Sequence, residues 1–392
     1  MEYIRRSLEE DIRHALERSK SVLLLGARQT GKTTLTQRFD SDLLISFIQP
    51  DIRQRYEKAP SVLKNEIEAL PLQKGKRRPL IILDEVQKVP AILDVVQDLI
   101  DRGIANFILT GSSARKLRKG AQLNLLPGRV VALRMQPFST AEYSEKKLED
   151  LLLYGSLPGL VAVKNNKDRE TDLESYVTTY LEEEVRAEAV VRNLGHFARF
   201  LELAASESGR IINTRKLSQE IGVAHTTIAA YYQILEDCLI TERIEPLTQS
   251  STRKKLTKSE KILFFDLGVR RLAAREGTRL SRDMMGHLFE QFTGLELLRA
   301  SYAKHKNTKI RFWRDPDGPE VDWVVDEAGH YIPVEVKWTD RPTLKDVRHL
   351  EVFLSEYPSA KAGYLVCQIP RKMKLSEKIM ALPWQLIHEI VT

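Results

Sequence analysis

The feature that most constrains this chain is a glycine-rich phosphate-binding motif that directly follows a short apolar run. Residues 22–25 are typical of a buried strand, and the eight residues after them fit the pattern GxxxxGK[ST]. Residues 34–39 are then predicted to be a helix. Strand, glycine loop and helix in this order predict an α/β fold of the P-loop type. The residues expected to bind a nucleotide are Gly26, Ala27, Arg28, Gln29, Thr30, Gly31, Lys32, Thr33 and Thr34.

The residue types in this motif match what a triphosphate requires. The glycines let backbone N–H groups approach the β-phosphate at a helix N-terminus. Lys32 supplies positive charge to the β- and γ-phosphates, and the hydroxyl of Thr33 is the expected Mg²⁺ ligand. ATP and Mg²⁺ are therefore the predicted cofactors.

Two further apolar strands end in polar residues. The first, at residues 79–83, leads into Asp84 and Glu85. Asp84 is predicted to hold Mg²⁺ through water, and Glu85 to polarise the attacking water as a catalytic residue. The second, at residues 106–110, ends where Thr110 or Ser112 is the candidate sensor of the γ-phosphate. The sequence does not distinguish between these two.

The order of the phosphate loop and the segments LIILDEVQKVP, FILTGSS, LPGRVVALRMQPFS and YGSLPGL resembles prokaryotic AAA-type ATPases that carry a C-terminal DUF4143 region. The resemblance runs nearly from end to end and implies an AAA+ domain and a homo-oligomer, such as a hexamer. It also implies that Arg129 faces the nucleotide of its own or a neighbouring subunit and stabilises charge on the transferring phosphoryl group. The alternative is an arginine at a strand edge that pairs with a local acid.

The middle of the chain carries a helix-turn-helix pattern. Residues 211–223 predict a short helix that ends in a glycine turn, and residues 225–238 predict a second helix. Residues 239–265 would then supply the wing of a winged helix, with a basic loop. The exposed positions of the second helix lack the arginines that read guanine, so contacts to the DNA backbone or shape are expected. A module that packs on protein is the alternative. The predicted DNA-binding residues are Thr226, Thr227, Lys254, Lys255 and Lys258.

The C-terminal part carries acids at the spacing of PD-(D/E)xK nucleases. A helix is predicted over residues 282–303, and it contains Glu290. Asp322 lies on a predicted strand thirteen residues before Glu335, and strand alternation puts Glu335 and Lys337 on one face. Asp322, Glu335 and Glu290 are the predicted metal ligands, and Lys337 would orient or activate water. A surface acid pair bridged by a lysine is the alternative.

These patterns predict an α/β protein with three domains. They are an AAA+ P-loop ATPase domain (residues 1–140), a helical segment with a winged helix-turn-helix (141–277), and a PD-(D/E)xK nuclease-like α/β domain (278–392). No apolar run reaches the roughly 20 residues that cross a bilayer, so we expect no membrane contact and a cytoplasmic location.

A net charge of +7 and three basic clusters suit a DNA partner, although solvated loops are the alternative for each cluster. The function expected is ATP-dependent DNA binding and processing, of a repair or recombination type, on branched DNA such as Holliday junctions. Cleavage of DNA is a further candidate activity. The rival hypothesis is a nucleotide-operated signalling switch with an inert nuclease-like domain. A metal-dependent nuclease with a structural nucleotide is the third hypothesis. The three basic clusters named above are Lys74, Lys76, Arg77 and Arg78; Arg115, Lys116, Arg118 and Lys119; and Arg253, Lys254, Lys255, Lys258 and Lys261.

Overall fold

The structure is a computed structural model that describes residues 3–70, 78–113, 128–143, 147–181, 193–250, 256–304 and 308–391. The chain divides into two compact units. Unit 1 comprises Met1–Pro137 with Asp237–Leu239, and unit 2 comprises Phe138–Glu236 with Ile240–Thr392. The second and third predicted domains thus lie in one compact unit, and the predicted boundaries stay predictions. In the described part of the chain, no helix is long and apolar enough to cross a membrane.

Unit 1 is built on a five-stranded sheet in the order β2-β3-β4-β1-β5. Every pairing in it is parallel, and the prediction of an α/β fold is confirmed. Because parallel strands all end at the same edge of a sheet, the residues that follow them are brought together there. The strands are β1 (Ser21–Leu25), β2 (Leu43–Ser46), β3 (Leu80–Asp84), β4 (Asn106–Gly111) and β5 (Val130–Arg134).

Helices cover both faces of this sheet. Side chains alternate between the faces along each strand, so each central strand contributes to two cores. Leu23 and Phe107 belong to one apolar core, whereas Val22 and Ile108 belong to another. Both faces of the central strands are therefore buried, as is usual for parallel sheets. The helices are α1 (Leu8–Glu17), α2 (Lys32–Thr36), α3 (Pro50–Lys58), α4 (Val62–Glu68) and α5 (Ile92–Asp101), with a 3₁₀ turn at Val86–Lys88.

The first part of unit 2 is helical. The side chain of Asn213 caps α10 by accepting a hydrogen bond from the N–H of Lys216, and Gly222, with φ of +77°, ends that helix. A two-stranded antiparallel hairpin follows α11. The helices are α6 (Leu148–Tyr154), α7 (Pro158–Val161), α8 (Asn166–Ser175) with a π turn at Tyr176–Leu181, α9 (Leu194–Ser206), α10 (Thr214–Ile221), α11 (His225–Asp237) and α12 (Leu267–Ala273), and the strands are β6 (Thr241–Ile244) and β7 (Lys261–Phe264).

The rest of unit 2 is a long helix, α13 (Arg282–Ala303), and a six-stranded mixed sheet in the order β12-β13-β11-β10-β9-β8. The sequence predicts the helix and the first three strands, but the structure adds β11 to β13. Helix α14 (Arg348–Glu356) connects β10 to β11, which pair in parallel. The strands are β8 (Thr308–Arg314), β9 (Glu320–Glu327), β10 (His330–Val336), β11 (Gly363–Cys367), β12 (Met373–Lys374) and β13 (Ile379–Pro383), with 3₁₀ turns at Leu344–Val347 and Trp384–Glu389.

The two parts of unit 2 share one apolar core. Leu152 of α6 and Leu263 of β7 belong to the same buried cluster as Phe292 of α13 and Trp323 of β9. The segment after β6 also lies along the outer edge of β8, where the N–H of Leu247 donates to the carbonyl of Phe312 at 2.7 Å and that of Thr257 to Arg314 at 3.0 Å. The middle segment therefore covers the sheet edge at β8.

Buried polar groups add to these connections. Asp266 is fully buried; it caps α12 and accepts a hydrogen bond of 2.8 Å from the N–H of Ser156. Gly155, with φ of +71°, leaves room for this carboxylate, because a Cβ there would lie 2.0 Å from an Asp266 oxygen. Helix α13 contributes Glu296, which accepts from the N–H and the hydroxyl of Thr140 at 2.8 and 2.7 Å.

Candidate functional site

The phosphate loop lies at the C-terminal end of β1. Gly26 packs so closely on the next segment that a Cβ would lie 2.4 Å from the carbonyl oxygen of Met135, which explains why glycine is required there. Gln29 and Gly31 have positive φ values of 62° and 94°, and they turn the chain into α2, which starts at Lys32. The helix thus begins two residues earlier than predicted and ends at Thr36, where residues as far as 39 had been expected.

Lys32 points back into the loop. Its Nζ donates hydrogen bonds to the carbonyls of Gly26 at 2.8 Å and Ala27 at 3.0 Å, and it lies 4.0 Å from a carboxylate oxygen of Glu85. The Lys32 side chain is only 5% exposed. A buried ammonium is a strong point charge, because little water screens it.

Asp84 ends β3 and is the centre of a hydroxyl cluster. Its Oδ1 accepts a hydrogen bond of 2.6 Å from the hydroxyl of Thr110, and the hydroxyl of Thr33 lies 3.5 Å from the same oxygen. Ser46, at the end of β2, donates to Oδ2 at 3.2 Å. The strand order explains this convergence, because β3 lies between β2 and β4.

Glu85 follows with a left-handed backbone, φ of 61°. Its N–H donates to the hydroxyl of Thr110 at 3.0 Å, and Ser112 donates to its Oε2 at 2.9 Å. The side-chain amide of Gln87 donates to that same oxygen and, at 2.9 Å, to Ser112. The two candidate sensors therefore contact different acids, Thr110 the side chain of Asp84 and Ser112 that of Glu85.

Three residues of this site were not predicted from the sequence. Gln87 and Ser46 contact Glu85 and Asp84 as described above. Arg6, which is 4% exposed, donates from one guanidinium to the carbonyls of Thr30 at 2.9 Å and Gln136 at 2.6 Å. The position of Gln87, two residues after Glu85, was a usable signal. The roles of Ser46 and Arg6 depend on tertiary contacts that no local pattern reveals.

The residues at this edge fit Mg²⁺ and a nucleoside triphosphate. Thr33 and Asp84 offer the oxygen donors that Mg²⁺ prefers. The buried ammonium of Lys32 and the close approach of backbone at Gly26 suit a polyphosphate. Of the other predicted loop residues, Arg28 is half-buried, and Thr34 is exposed on the first turn of α2.

Arg129 precedes β5 and pairs with an acid of its own chain. Its Nη2 lies 3.0 Å from Oδ2 of Asp101, and its Nε donates to Oδ1 of the same carboxylate. The hydrogen bond from Arg129 lowers the pKa of Asp101 from its usual value. This arrangement corresponds to the local-acid alternative, and a role beside a nucleotide stays a prediction.

The predicted C-terminal acids lie in one region, but each is engaged. Glu335 accepts a hydrogen bond of 2.7 Å from Nζ of Lys337, and Oδ2 of Asp322 accepts one of 2.8 Å from the N–H of Val336. Oε1 of Glu290 accepts one of 2.9 Å from Lys261. Burial, followed by the neighbouring charges of Glu335 and Glu290, raises the pKa of Asp322 well above its usual range.

This arrangement does not fit a divalent metal site. Among the residues that the structure describes, no three His, Cys, Asp or Glu side chains form a group that could hold a metal ion. A buried oxygen of Glu335, Oε2, has no hydrogen-bond partner among the residues that the structure describes. Glu290 and Asp322, however, hold an ammonium and a backbone N–H where a metal ion would bind.

The predicted DNA-binding residues fall into two groups. Thr226 is exposed and Thr227 half-buried at the start of α11, and Lys258 is exposed before β7. On the opposite side of α11, Ile228, Tyr232 and Leu235 are buried. Lys254 and Lys255 lie outside the described residues, as do the basic residues of the first two clusters except Arg78.

Comparison with known proteins assigns three successive segments to families. Residues 18–144 match the family described as AAA domain, residues 145–279 a domain of unknown function, DUF8612, and residues 285–387 a domain of unknown function, DUF4143. An uncharacterized protein of Mycobacterium tuberculosis is 28% identical over an alignment of 386 positions that covers 97% of this chain and 83% of the relative. An uncharacterized protein of Methanocaldococcus jannaschii is 22% identical over an alignment of 430 positions that covers 96% of this chain and 87% of the relative.

Among solved structures, the Bacillus subtilis DNA clamp loader delta protein matches 58% of this chain and 87% of its own at 12% identity. Its TM-score is 0.25, which is too low to support an argument about either fold or function. The two family assignments at the ends of the chain agree with the resemblance seen in the sequence motifs. The chain therefore contains a segment that matches an AAA domain, with its P-loop, at residues 18–144 and one that matches DUF4143 at residues 285–387.

Proposed function

We propose that this protein is a Mg²⁺-dependent ATPase that binds DNA through its middle segment and acts in DNA repair or recombination. The observation that carries the ATPase is the meeting of Lys32, Thr33, Asp84 and Glu85 at one edge of the sheet, next to a loop that leaves no room for a side chain at Gly26. Acids after β3 and a lysine after β1 are the groups that phosphoryl transfer requires.

In the proposed reaction, Glu85 orients the attacking water and takes up its proton. Ser112 and Gln87 fix the direction of the Glu85 carboxylate through its Oε2, and Lys32 offsets the negative charge that develops on the phosphoryl oxygens. Thr33 and Asp84 would hold Mg²⁺, which when bound neutralises charge on the β- and γ-phosphates. Thr110 keeps Asp84 in place from the neighbouring strand.

The DNA-binding part of the proposal is supported by helices α10 and α11 and by the hairpin β6–β7. The exposed positions of α11 carry short polar or small side chains, among them Thr226 and Gln233, and Lys258 is exposed before β7. Such a surface suits contacts to phosphates and to groove shape, and binding should weaken as salt rises in proportion to the number of lysines that contact phosphates. Homo-oligomer formation, up to a hexamer, belongs to the same proposal; light scattering with and without ATP tests it.

The test is ATP hydrolysis by the wild-type protein and by Glu85→Gln, without DNA and with duplex, single-stranded or four-way-junction DNA. Asp94→Asn, which removes an exposed carboxylate on α5, is the matched control. We expect hydrolysis to be lost in Glu85→Gln, retained in Asp94→Asn, and stimulated by DNA in the wild type. Hydrolysis that survives in Glu85→Gln would refute the site, and hydrolysis that ignores every DNA would refute the DNA partner.

A second candidate is a nucleotide-operated signalling switch in which the C-terminal domain performs no cleavage. The ion pairs between Lys261 and Glu290 and between Lys337 and Glu335 favour it, because they engage the acids that a metal nuclease would need. If the ATPase is intact and indifferent to DNA, this candidate replaces the first. A search for a protein partner of the ATP-bound Glu85→Gln form would then follow.

A further inference from the structure

Lys261 lies among the acids of the C-terminal domain, although it begins β7 in the middle segment. Its Nζ donates to Oε1 of Glu290 at 2.9 Å and lies 5.0 Å from the ring centre of Phe312 and 5.1 Å from that of Trp323. The Lys261 side chain is 11% exposed and that of Glu290 is 21% exposed. This ammonium is thus held at the acids by a carboxylate and two aromatic faces, with little water around it.

We propose that Lys261 is the resident cation of this acid cluster and takes the place that a divalent metal ion would occupy, so that the domain is folded without metal. This inference is independent of the ATP hydrolysis and DNA binding proposed above. Its test measures neither of those activities.

Two of the three acids around Lys261 already have a cationic partner. Glu290 pairs with Lys261 at 2.9 Å, and Glu335 pairs with Lys337 at 2.7 Å. A divalent ion added to this arrangement would lie close to the ammonium of Lys261, and two cations close together in a largely buried region repel each other strongly.

One oxygen of each acid is also engaged by a group other than a metal. Oε1 of Glu290 accepts a hydrogen bond from Nζ of Lys261, and its Oε2 lies 3.9 Å from Nδ1 of His287. Oδ2 of Asp322 accepts a hydrogen bond from the N–H of Val336. A metal ion that used these oxygens would first have to displace an ammonium and a backbone donor.

The backbone fixes Lys261 in this position. Lys261 pairs with Ile244 in the hairpin and also bridges to Ile211. Its side chain lines a cavity of about 350 Å³ together with Glu290, His287 and Asp322. Because two strand contacts hold its Cα, the ammonium is a permanent part of the acid cluster rather than the end of a mobile loop.

The test replaces the cation by an apolar side chain of similar length. Lys261→Met is compared with Lys258→Met, which removes an exposed lysine three residues earlier. All variants carry Asp84→Asn, so that no divalent ion binds at the ATP site, and thermal unfolding of the full chain is followed with EDTA or with millimolar Mn²⁺. We expect Lys261→Met to lower the midpoint on the order of 10 °C, because it leaves the largely buried carboxylate of Glu290 without its lysine partner. Lys258→Met should change it little.

The effect of Mn²⁺ on the unfolding midpoint then shows whether Lys261 acts as a cation or only by packing. In the parent protein we expect the same midpoint with EDTA and with Mn²⁺. In Lys261→Met, Mn²⁺ should raise the midpoint, since the vacated position is surrounded by acids. A parent protein that Mn²⁺ stabilises, with the effect lost in Glu335→Gln, would overturn the proposal, and so would a Lys261→Met protein that ignores Mn²⁺.

A double variant guards against the case in which Lys261→Met does not fold. Lys261→Met combined with Glu290→Gln removes both partners of the ion pair, and replacing both partners is far less harmful than replacing one. We expect the double variant to be more stable than Lys261→Met and to show no Mn²⁺ response. A double variant no more stable than Lys261→Met would mean that the lysine acts by packing on Phe312 and Trp323, which refutes its role as a counter-ion.

Discussion

Thr110 connects the two acids of the ATP site, and its hydroxyl can be removed almost without changing the shape of the side chain. It is fully buried; its hydroxyl donates to Asp84 at 2.6 Å and accepts from the N–H of Glu85 at 3.0 Å. Thr110→Val replaces that hydroxyl by a methyl group. Thr110→Ser, the matched control, keeps the hydroxyl and loses only a methyl group.

The magnitude follows from the two bonds. A hydrogen bond to a charged group contributes about 1.5–3 kcal/mol, and a buried N–H left without a partner costs about 1–3 kcal/mol. We therefore expect Thr110→Val to lower the free energy of unfolding by roughly 3 kcal/mol or more. Thr110→Ser should lower it by only about 1 kcal/mol, the contribution of one buried methyl group.

Denaturant titration measures these differences, and nucleotide binding then separates the two candidate sensors. Because Thr110 positions Asp84, Thr110→Val should weaken MgATP binding by roughly tenfold, which corresponds to about 1.4 kcal/mol. Ser112 positions Glu85, so Ser112→Ala should lower kcat and leave the Kd for MgATP unchanged. Equal stability of Thr110→Val and Thr110→Ser, or a larger loss of affinity in Ser112→Ala, would refute this reasoning.

Gly155→Ala should lower the free energy of unfolding, measured by denaturant titration, by about 2 kcal/mol or more, because φ is +71° and the new Cβ would collide with Asp266. Gly159→Ala is the control and should leave the free energy of unfolding unchanged, because its new Cβ meets nothing within 4 Å. Burial opposes the charge on Glu290, but its lysine partner and a nearby histidine bring its pKa down to about 2. Glu290 therefore stabilises the fold above pH ~4.5, and this contribution is lost as the pH falls towards 2. Glu290→Gln should make the free energy of unfolding less dependent on pH over this window. Arg129→Ala should leave kcat unchanged, because the guanidinium is engaged by an acid of its own chain; a loss of kcat would instead place it at a nucleotide.

The sequence allowed the ATP site to be anticipated where the chemistry is local. The phosphate loop, Asp84 and Glu85 each follow a strand directly, and parallel strands bring such positions to one edge. Ser46 was missed because its role depends on which strand lies beside which. Gln87 could have been noted from its position two residues after Glu85, although its contact depends on the turn that Glu85 makes with its positive φ. Strand order is a tertiary property that no short window of residues encodes.

The C-terminal part shows a different limit. The helix that contains Glu290 and the strands that carry Asp322 and Glu335 were located correctly by periodicity. Lys261, however, was grouped with a basic loop, since a lysine in a row of lysines gives no sign of a partner 29 residues away. The strands β11 to β13 were missed because two of them pair in parallel through connections that leave little local signal.

The loop beside β8 limits where this protein can be truncated. Residues 247 and 257 supply backbone hydrogen bonds to that strand, and Leu152 and Leu263 fill the core beneath the sheet. A fragment that starts at Arg282 would expose both an open strand edge and an apolar surface, the combination that drives aggregation. We therefore expect the DUF4143 segment of this chain to fold only together with the preceding helical segment. Recombination in evolution, like truncation in the laboratory, has to keep these two segments together.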